Sequence, residues 1–387
     1  MMSMIRNLHD LSFSLRADMT EVEEDWARLS SDPLNSLHQS PEWCKAWAKA
    51  HNVPLYFLRG TIGAETILLW PLELKSSFGL RVLHPVGGSF NNINTGLAQP
   101  NLLASDSSSD TALAKQKIGA AISPIADVLT LTSVPLYWRG RQNCLSGLQS
   151  VQSQNEAFQL PIIGSFAETL AQINAKRRRK KFRISQRHAE DMGGYLYKIA
   201  QEHAEKLHIL NEFFAQKSKR FKSQGLPDVF AQSQIKALFA NLLNERSSQG
   251  EDAVLELHYI ELQGAHEGQI ASITGISRKG DHCICQFGSI NEALDPSLSS
   301  GELLFYHVIE RECAIGSALF DFGIGDQRYK RSWCPLITEH HNIYVPSTIK
   351  GKLLVQGMIA GTKAKGAVKK NPQLYNLLQK LRRSSQD

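Results

Sequence analysis

The stretch ALFDFGIGDQRYKRSW, residues 318 to 333, decides how the rest of the chain is read. Leu319, Phe320 and Phe322 have the apolar, aromatic make-up of a buried strand, yet Asp321 sits among them. Gly323 and Gly325 then break the pattern, and Asp326 stands at a helix-capping position ahead of Tyr329, Lys330 and Trp333. A carboxylate and an ammonium beside an aromatic-lined turn cost solvation unless they are paired, so such an arrangement belongs to a site more often than to plain surface. A purely structural reading stays open beside it. Asp326 then only caps the last helix, Lys330 pairs with it at the surface, and Tyr329 and Trp333 pack one turn apart.

Just upstream, DPSLSSGELLFYHVIEREC delivers a Pro/Ser/Gly loop into a helix start. A helix N-terminus exposes unpaired backbone N–H groups beside a partial positive charge, which suits a phosphate or pyrophosphate. Leu298, Ser299, Ser300 and Gly301 occupy the cradle position, with Ser300 as a plain N-cap as the alternative. The spacing fits neither a Walker A loop nor G-x-G-x-x-G, which disfavours those two nucleotide-binding classes.

The 387 residues suffice for two ordinary domains, and 42% hydrophobic content supports a folded core. The opening MMSMIRNLHDLSFSLRADM lacks the apolar run of a signal peptide and no segment reaches bilayer-spanning length, so the expected location is cytoplasmic, with the inner membrane face as a peripheral option. Six cysteines are scattered. Only Cys283 and Cys285 are close, and on an alternating strand they share one face, which reads as reduced core thiols rather than a zinc site. His340-His341 lacks a third ligand at metal spacing, so no metal is expected.

Along the chain, the first half reads as helices, then strands, then helix to strand up to about residue 165; the second half repeats that order, so a structural duplication is expected without any residue-level repeat. Ser40-Pro41-Glu42 opens a helix through Trp43 and Trp47. The loop GGSFNNINTGL offers Asn91, Asn92 and Asn94 either as turn chemistry or, facing a cleft, as amides for a polyhydroxylated substrate. FAETLAQINAKRRRKKFRISQRHAEDMGG reads as one helix ending at Gly193-Gly194.

Two regions are strongly basic. Lys176, Arg177, Arg178, Arg179, Lys180 and Lys181, with Arg183 and Arg187, place eight cations in twelve positions, more than one helical face is expected to hold. From Lys350 to Asp387 the chain carries nine basic residues and one acid, a balance of +8 against +6 for the whole protein. Both regions are either solvated charge or a surface for a polyanion, whether tRNA, an anionic lipid surface or an acidic polysaccharide. Nothing points to sequence-specific DNA recognition.

FDFGIGDQRYKRSW, preceded by SSGELLFYHVIERECAIG, resembles the BioF2-like acetyltransferase domain of the GNAT superfamily found in CelD-like proteins. HQSPEWCKAWAKAHN and the Arg-rich helix before Gly193-Gly194 resemble further segments of that family, in the same order. The resemblance implies an α/β (α+β) fold of tandem GNAT-like domains, each a mixed, mostly antiparallel sheet flanked by helices, a layout shared with Fem aminoacyltransferases. The expected boundaries are residues 1–165 for an N-terminal GNAT-like domain, 166–345 for the acyltransferase domain, and 346–387 for a basic tail.

The resemblance also implies a function: N-acyl transfer from acyl-CoA to an amine, with a cell-envelope or exopolysaccharide precursor as acceptor. CICQFGSI becomes the splayed strand that admits the donor, and Leu298 to Gly301 the loop that holds its pyrophosphate. The usual loop is R/Q-x-x-G-x-G/A, and PSLSSGE lacks its basic residue and one glycine. Tyr329 takes the place of the general acid and Lys330 that of a cation on the oxyanion. Asp321 or Asp326 holds the lysine or accepts a proton, and Trp333 lines the substrate. Two alternatives remain: Fem-like aminoacyl transfer from charged tRNA, and a catalytically silent scaffold binding an anionic surface.

Overall fold

In a computed structural model the chain is described for residues 6–77, 79–105, 107–245 and 253–370. In chain order, the principal elements begin with β1 (Ser12–Arg16), α1 (Glu23–Ser30), α2 (Pro41–His51), β2 (Tyr56–Ile62), β3 (Glu65–Ser77), β4 (Leu80–Pro85), α3 (Ser108–Ile122), β5 (Val128–Val134) and β6 (Ser150–Gln152). Next come β7 (Ala157–Pro161), α4 (Phe166–Ala171), α5 (Ala175–Asp191), β8 (Tyr195–Ile199), α6 (His203–Ser223), α7 (Ser233–Asn244), β9 (Glu256–Leu262), β10 (Ile270–Lys279) and β11 (His282–Ile290). The chain continues through α8 (Ser300–Ile315), β12 (Leu319–Ile324), α9 (Arg328–Trp333), β13 (Leu336–Thr338), β14 (His341–Pro346) and α10 (Ile349–Lys370).

These elements form two compact units, Met1–Glu156 with Thr338–Asp387, and Ala157–Ile337. The first has the sheet order β6-β14-β5-β4-β3-β2-β1, with a short strand, Leu97–Ala98, also on β3. The second runs β13-β7-β12-β11-β10-β9-β8. The expected duplication is present: each sheet is mostly antiparallel, with one parallel pair in its middle, β4 with β5 and β11 with β12.

The unit boundaries differ from the expected 165/166 and 345/346. β7 hydrogen-bonds to β12 and so joins the second sheet, whereas β14 hydrogen-bonds to β5 and returns to the first. Each sheet therefore seats, beside its last parallel strand, a strand reached from the other side of the sequence. The basic tail is also partly structured. α10 packs Val355 into a cluster with Val128 and Tyr344, and Gly351 lies so close to β5 that a Cβ there would meet the Asp127 carbonyl at 2.0 Å. The remaining tail cations, Lys380, Arg382 and Arg383, lie outside the described residues.

The cores follow the amphipathic pattern of the strands. Leu68, Leu83, Ile118, Leu129 and Ile343 meet in the first unit, and Phe158, Leu304, Ile309, Phe320 and Trp333 in the second. Ser40 caps α2 through the Trp43 N–H with Pro41 in the first turn, as the sequence predicts. The expected single helix over 166–191 is instead two, because Asn174 accepts the Arg177 N–H and starts α5 afresh.

Candidate active site

β11 and β12 are parallel neighbours only over His282↔Leu319, Cys283↔Phe320 and Ile284↔Asp321. Beyond that point they part. β11 carries a bulge there: Ile276 of β10 faces Cys285 while Gly275 faces Phe287, so Gln286 is the extra residue. A bulge bends and twists its strand, turning the end of β11 away from β12, which continues against β7. Gly275 makes the turn possible, because a Cβ there would strike the Phe287 ring at 2.5 Å. That ring stacks on Phe213 at 4.0 Å and meets Phe239 edge-on at 4.9 Å.

Parted strands leave backbone groups in need of partners. Lys330 supplies them: its Nζ donates to the Gly323 carbonyl at 3.2 Å and the Ile324 carbonyl at 2.8 Å. The side chain is buried, and burial lowers its pKa, opposed by Cys285 and Asp321. Asp321 is fully buried, its Oδ1 accepting the Gly323 N–H at 2.7 Å and its Oδ2 3.5 Å from His282 Nε2. Asp321 thus shapes the strand end and lies in the field of Lys330 without a direct bond to it. Asp326 departs from expectation. It is exposed and forms a two-bond ion pair with Arg331, and Gln327 occupies the N-cap of α9.

Tyr329 lies over the same end of the sheet. Its ring stacks on Phe305 at 5.8 Å and meets Phe322 at 5.9 Å, while 41% of the residue stays accessible. Burial of the phenol, with Cys285 and Cys334 nearby, raises its pKa, so it stays protonated at neutral pH. Trp333, one turn further along α9, is fully buried, with the Arg178 guanidinium 4.3 Å above its ring. Its expected place against substrate is corrected: it is core.

The loop before α8 is built as a backbone cradle. Leu298 is buried and anchors it; Ser299 adopts a left-handed conformation at φ 48° and, not Ser300, occupies the N-cap. Ser300 Oγ donates to the Ala271 carbonyl at 3.0 Å, and Ser272 Oγ donates to the Ser300 carbonyl at 3.0 Å, so the side chain ties the loop to β10. The cradle therefore consists of the Ser300 and Gly301 N–H groups, since the Glu302 N–H already donates to the Ser299 carbonyl at 2.9 Å. At Gly301 a Cβ would meet only Ile290 Cγ2, at 3.2 Å.

α5 flanks this cradle. Arg178 is buried in an ion pair with Glu302, Lys181 Nζ lies 3.9 Å from the same carboxylate, and His188 Nδ1 lies 2.9 Å from the Ser297 carbonyl. Arg178 is thus a structural anchor and unavailable to an outside polyanion. The other cations also depart from expectation: Lys176, Arg179, Lys180, Arg183 and Arg187, all exposed, do fall on one face at 100° per residue. Arg177 is exposed to one side and Lys181 is half-buried.

In the first unit the expected substrate amides are internal. Asn91 and Asn94 are buried; Asn91 Nδ2 donates to the Val86 carbonyl at 2.6 Å and to Asn94 Oδ1 at 2.8 Å, and Asn94 Nδ2 donates to the Thr132 carbonyl at 2.7 Å. Asn92 is half-buried. No spacing rule separates such internal amides from ligand-facing ones. Lys217 on α6 is a further polar group beside the parted strands, and it is equally hidden in the sequence, because a lysine on an amphipathic helix reads as solvated.

Residues 176–331 match the family model for an acetyltransferase (GNAT) domain. The matched residues lie within the second unit, and the two units repeat one mixed, mostly antiparallel layout of GNAT-like fold. Among solved structures, FemX matches 82% of this chain and 95% of its own at TM-score 0.56 and 12% identity. L-PGS from Bacillus licheniformis matches 85% and 97% at TM-score 0.48 and 11% identity, and a tandem GNAT protein from the clavulanic acid biosynthesis pathway 87% and 99% at TM-score 0.42 and 10% identity. At these identities the likeness speaks for the fold alone, and FemX carries it. No curated protein matches the sequence. Among the described residues no helix is long and apolar enough to cross a membrane, and no group of His, Cys, Asp and Glu is arranged to hold a metal ion.

Proposed function

We propose that the second unit transfers an acyl group from acyl-CoA to an amine. One observation carries this reading: the two parallel strands part beside a helix N-terminus whose first turn is open to an anion. The donor's amide-bearing arm would lie along the parted edges of β11 and β12, and its pyrophosphate on the N–H groups at Ser300 and Gly301. The basic residue missing from the loop is replaced from α5, where Lys181 and His188 stand beside the cradle.

The amine's lone pair attacks the thioester carbon; the N–C bond forms, the C–S bond breaks, and the amine loses one proton to solvent. Lys330 has given two of its three N–H donors to Gly323 and Ile324, which fixes the ammonium and leaves one donor for the developing oxyanion. Tyr329, whose ring stacks on Phe305 and meets Phe322 of β12, gives its proton to the departing thiolate in this reading. The family resemblance adds an amine of a cell-envelope or exopolysaccharide precursor as acceptor, and BioF2-like proteins as the subfamily.

A second reading, transfer from charged tRNA, is favoured by the exposed cation row on α5, about 16 Å long at 1.5 Å rise per residue. Calorimetric titration with coenzyme A and acetyl-CoA separates the two. Binding to the native protein and its loss in Gly301→Glu, which adds bulk and negative charge to the cradle, is the expected result. No binding to the native protein, with salt-sensitive binding of tRNA, would transfer the assignment to the second reading; neither response would leave a scaffold.

A further inference from the structure

α6 lays one face against β11, and that face is only partly apolar. Gln216 donates to the Ile270 carbonyl at 3.0 Å and accepts from Ser289 Oγ at 2.7 Å, and Arg220 Nε lies 3.4 Å from Glu292. Between them Lys217 is half-buried, its Nζ 5.7 Å from the Phe221 ring centre and 6.0 Å from that of Phe230. Among the described residues no carboxylate, carbonyl or side-chain amide pairs with it. Burial lowers its pKa to about 8; Arg220 and Lys330 add to the effect, while Cys285 and Asp228 oppose it.

Those neighbours locate the ammonium. Phe230, whose ring the ammonium faces, meets the ring of Phe287 on β11 beyond the parting edge-on at 6.4 Å, and Cys285 of the same strand end acts on the charges of both Lys217 and Lys330. Lys217 therefore approaches the reacting region from α6, while Lys330 and Tyr329 approach it from α9. The acids near it are engaged elsewhere: Asp228 accepts the Phe230 N–H at 2.9 Å and Glu292 faces Arg220. A half-buried ammonium against aromatic rings loses hydration that a cation–π contact restores only in part. An anion arriving with a ligand would restore the rest. Lys330, by contrast, already has two of its three donors on carbonyls.

We propose that Lys217 binds a carboxylate on the acceptor, so that the amine acylated at the parted strands belongs to an amino acid or peptide-like molecule and not to a neutral amino sugar. This rests on the acyl-transfer reading for the identity of the reacting group, whereas the anion subsite stands on its own geometry. Carboxylate recognition also orients the substrate, because one fixed ion pair beside the reacting amine leaves only rotation about that anchor.

The test is calorimetric and needs no turnover. N-Acetylglycine and its neutral isostere N-acetylglycinamide are titrated into wild type, Lys217→Met and Lys217→Arg, each with and without coenzyme A. Expected is binding of the acid that weakens about tenfold or more in Lys217→Met and is retained in Lys217→Arg, with the amide binding all three proteins alike. Equal weakening of acid and amide, or no binding of the acid to wild type in either condition, overturns the proposal. Lys217→Arg and the acid–amide pair on wild type keep the test decisive if Lys217→Met does not fold. Lys217-dependent acid binding without coenzyme A binding would sink the acyl-CoA reading alone; coenzyme A binding without acid–amide discrimination would sink this inference alone.

Discussion

The two units have the same strand order, and each has one parallel pair that runs together briefly before parting, yet they treat the opening in opposite ways. In the first, β4 and β5 pair at Val82↔Val128 and Leu83↔Leu129, and the loop after β4 turns back to close the gap beyond them. Asn94 donates its backbone N–H to the Ser133 carbonyl at 3.0 Å and its amide to Thr132, while Gln39 and Asn91 both donate to Asn94 Oδ1. Trp43 Nε1 donates to Asn91 Oδ1 at 3.1 Å. The opening is sewn by neutral amides that find their partners within the unit. In the second unit the loop after β11 ties to β10 through Ser300 and Ser272, and the parted strands are met by Lys330, Tyr329 and Lys217 instead. The difference teaches that one topology can serve as a scaffold or as a site. What decides is whether the polar groups beside the parted strands are satisfied by the protein or reserved for a ligand.

The largest break in that comparison is expected from Asn94→Ala. It strands the half-buried Thr132 carbonyl and two fully buried amide donors, of Gln39 and Asn91, so unfolding in urea should show a loss of about 3 kcal/mol. Coenzyme A affinity per folded molecule should be unchanged if, as proposed, the donor lies on the second unit; a matching loss of affinity would show that the two openings do not divide the work as described. Next comes Lys330→Met. With the oxyanion donor gone, kcat should fall about a hundredfold, about 2.7 kcal/mol, with coenzyme A affinity nearly constant. A change in affinity with kcat unaltered would make Lys330 a strut and nothing more. The smallest effect is assigned to Tyr329→Phe, which keeps the stacking on Phe305 and Phe322 and removes only the hydroxyl. A fall of about tenfold in kcat, or about 1.4 kcal/mol, is expected with stability unchanged, and full activity would remove the phenol from the mechanism.

Much of the second unit was legible from residues near each other in the chain. Alternation marked β11, the apolar and aromatic make-up of Leu319, Phe320 and Phe322 marked β12, Ser/Gly chemistry marked the start of α8, and the aromatic spacing after Gly325 marked α9, because strand period, capping and turn preference are all local. Roles that depend on distant partners were not. Asp326 has Lys330 four residues on and Arg331 five residues on; only the turn of α9 directs it to Arg331. Arg178 looked like one charge in a run until Glu302 and Trp333 enclosed it. Asn91 and Asn94 were equally readable as turn residues, as ligand contacts or as internal bonds until β5 came alongside.

By itself, the sequence determined the two repeating series of helices and strands, the loop and helix start at Ser299 to Gly301, and the placement of Tyr329 and Lys330 on one short helix. Those features follow from side-chain period and backbone preference, which act over a few residues. The tertiary structure alone decided that β7 pairs with β12 and that β14 returns to β5, that the first opening is sealed, and that Lys217 stands beside the second. Backbone pairing across more than a hundred residues, and the loss of water around a charge once elements pack, are properties of the assembled fold.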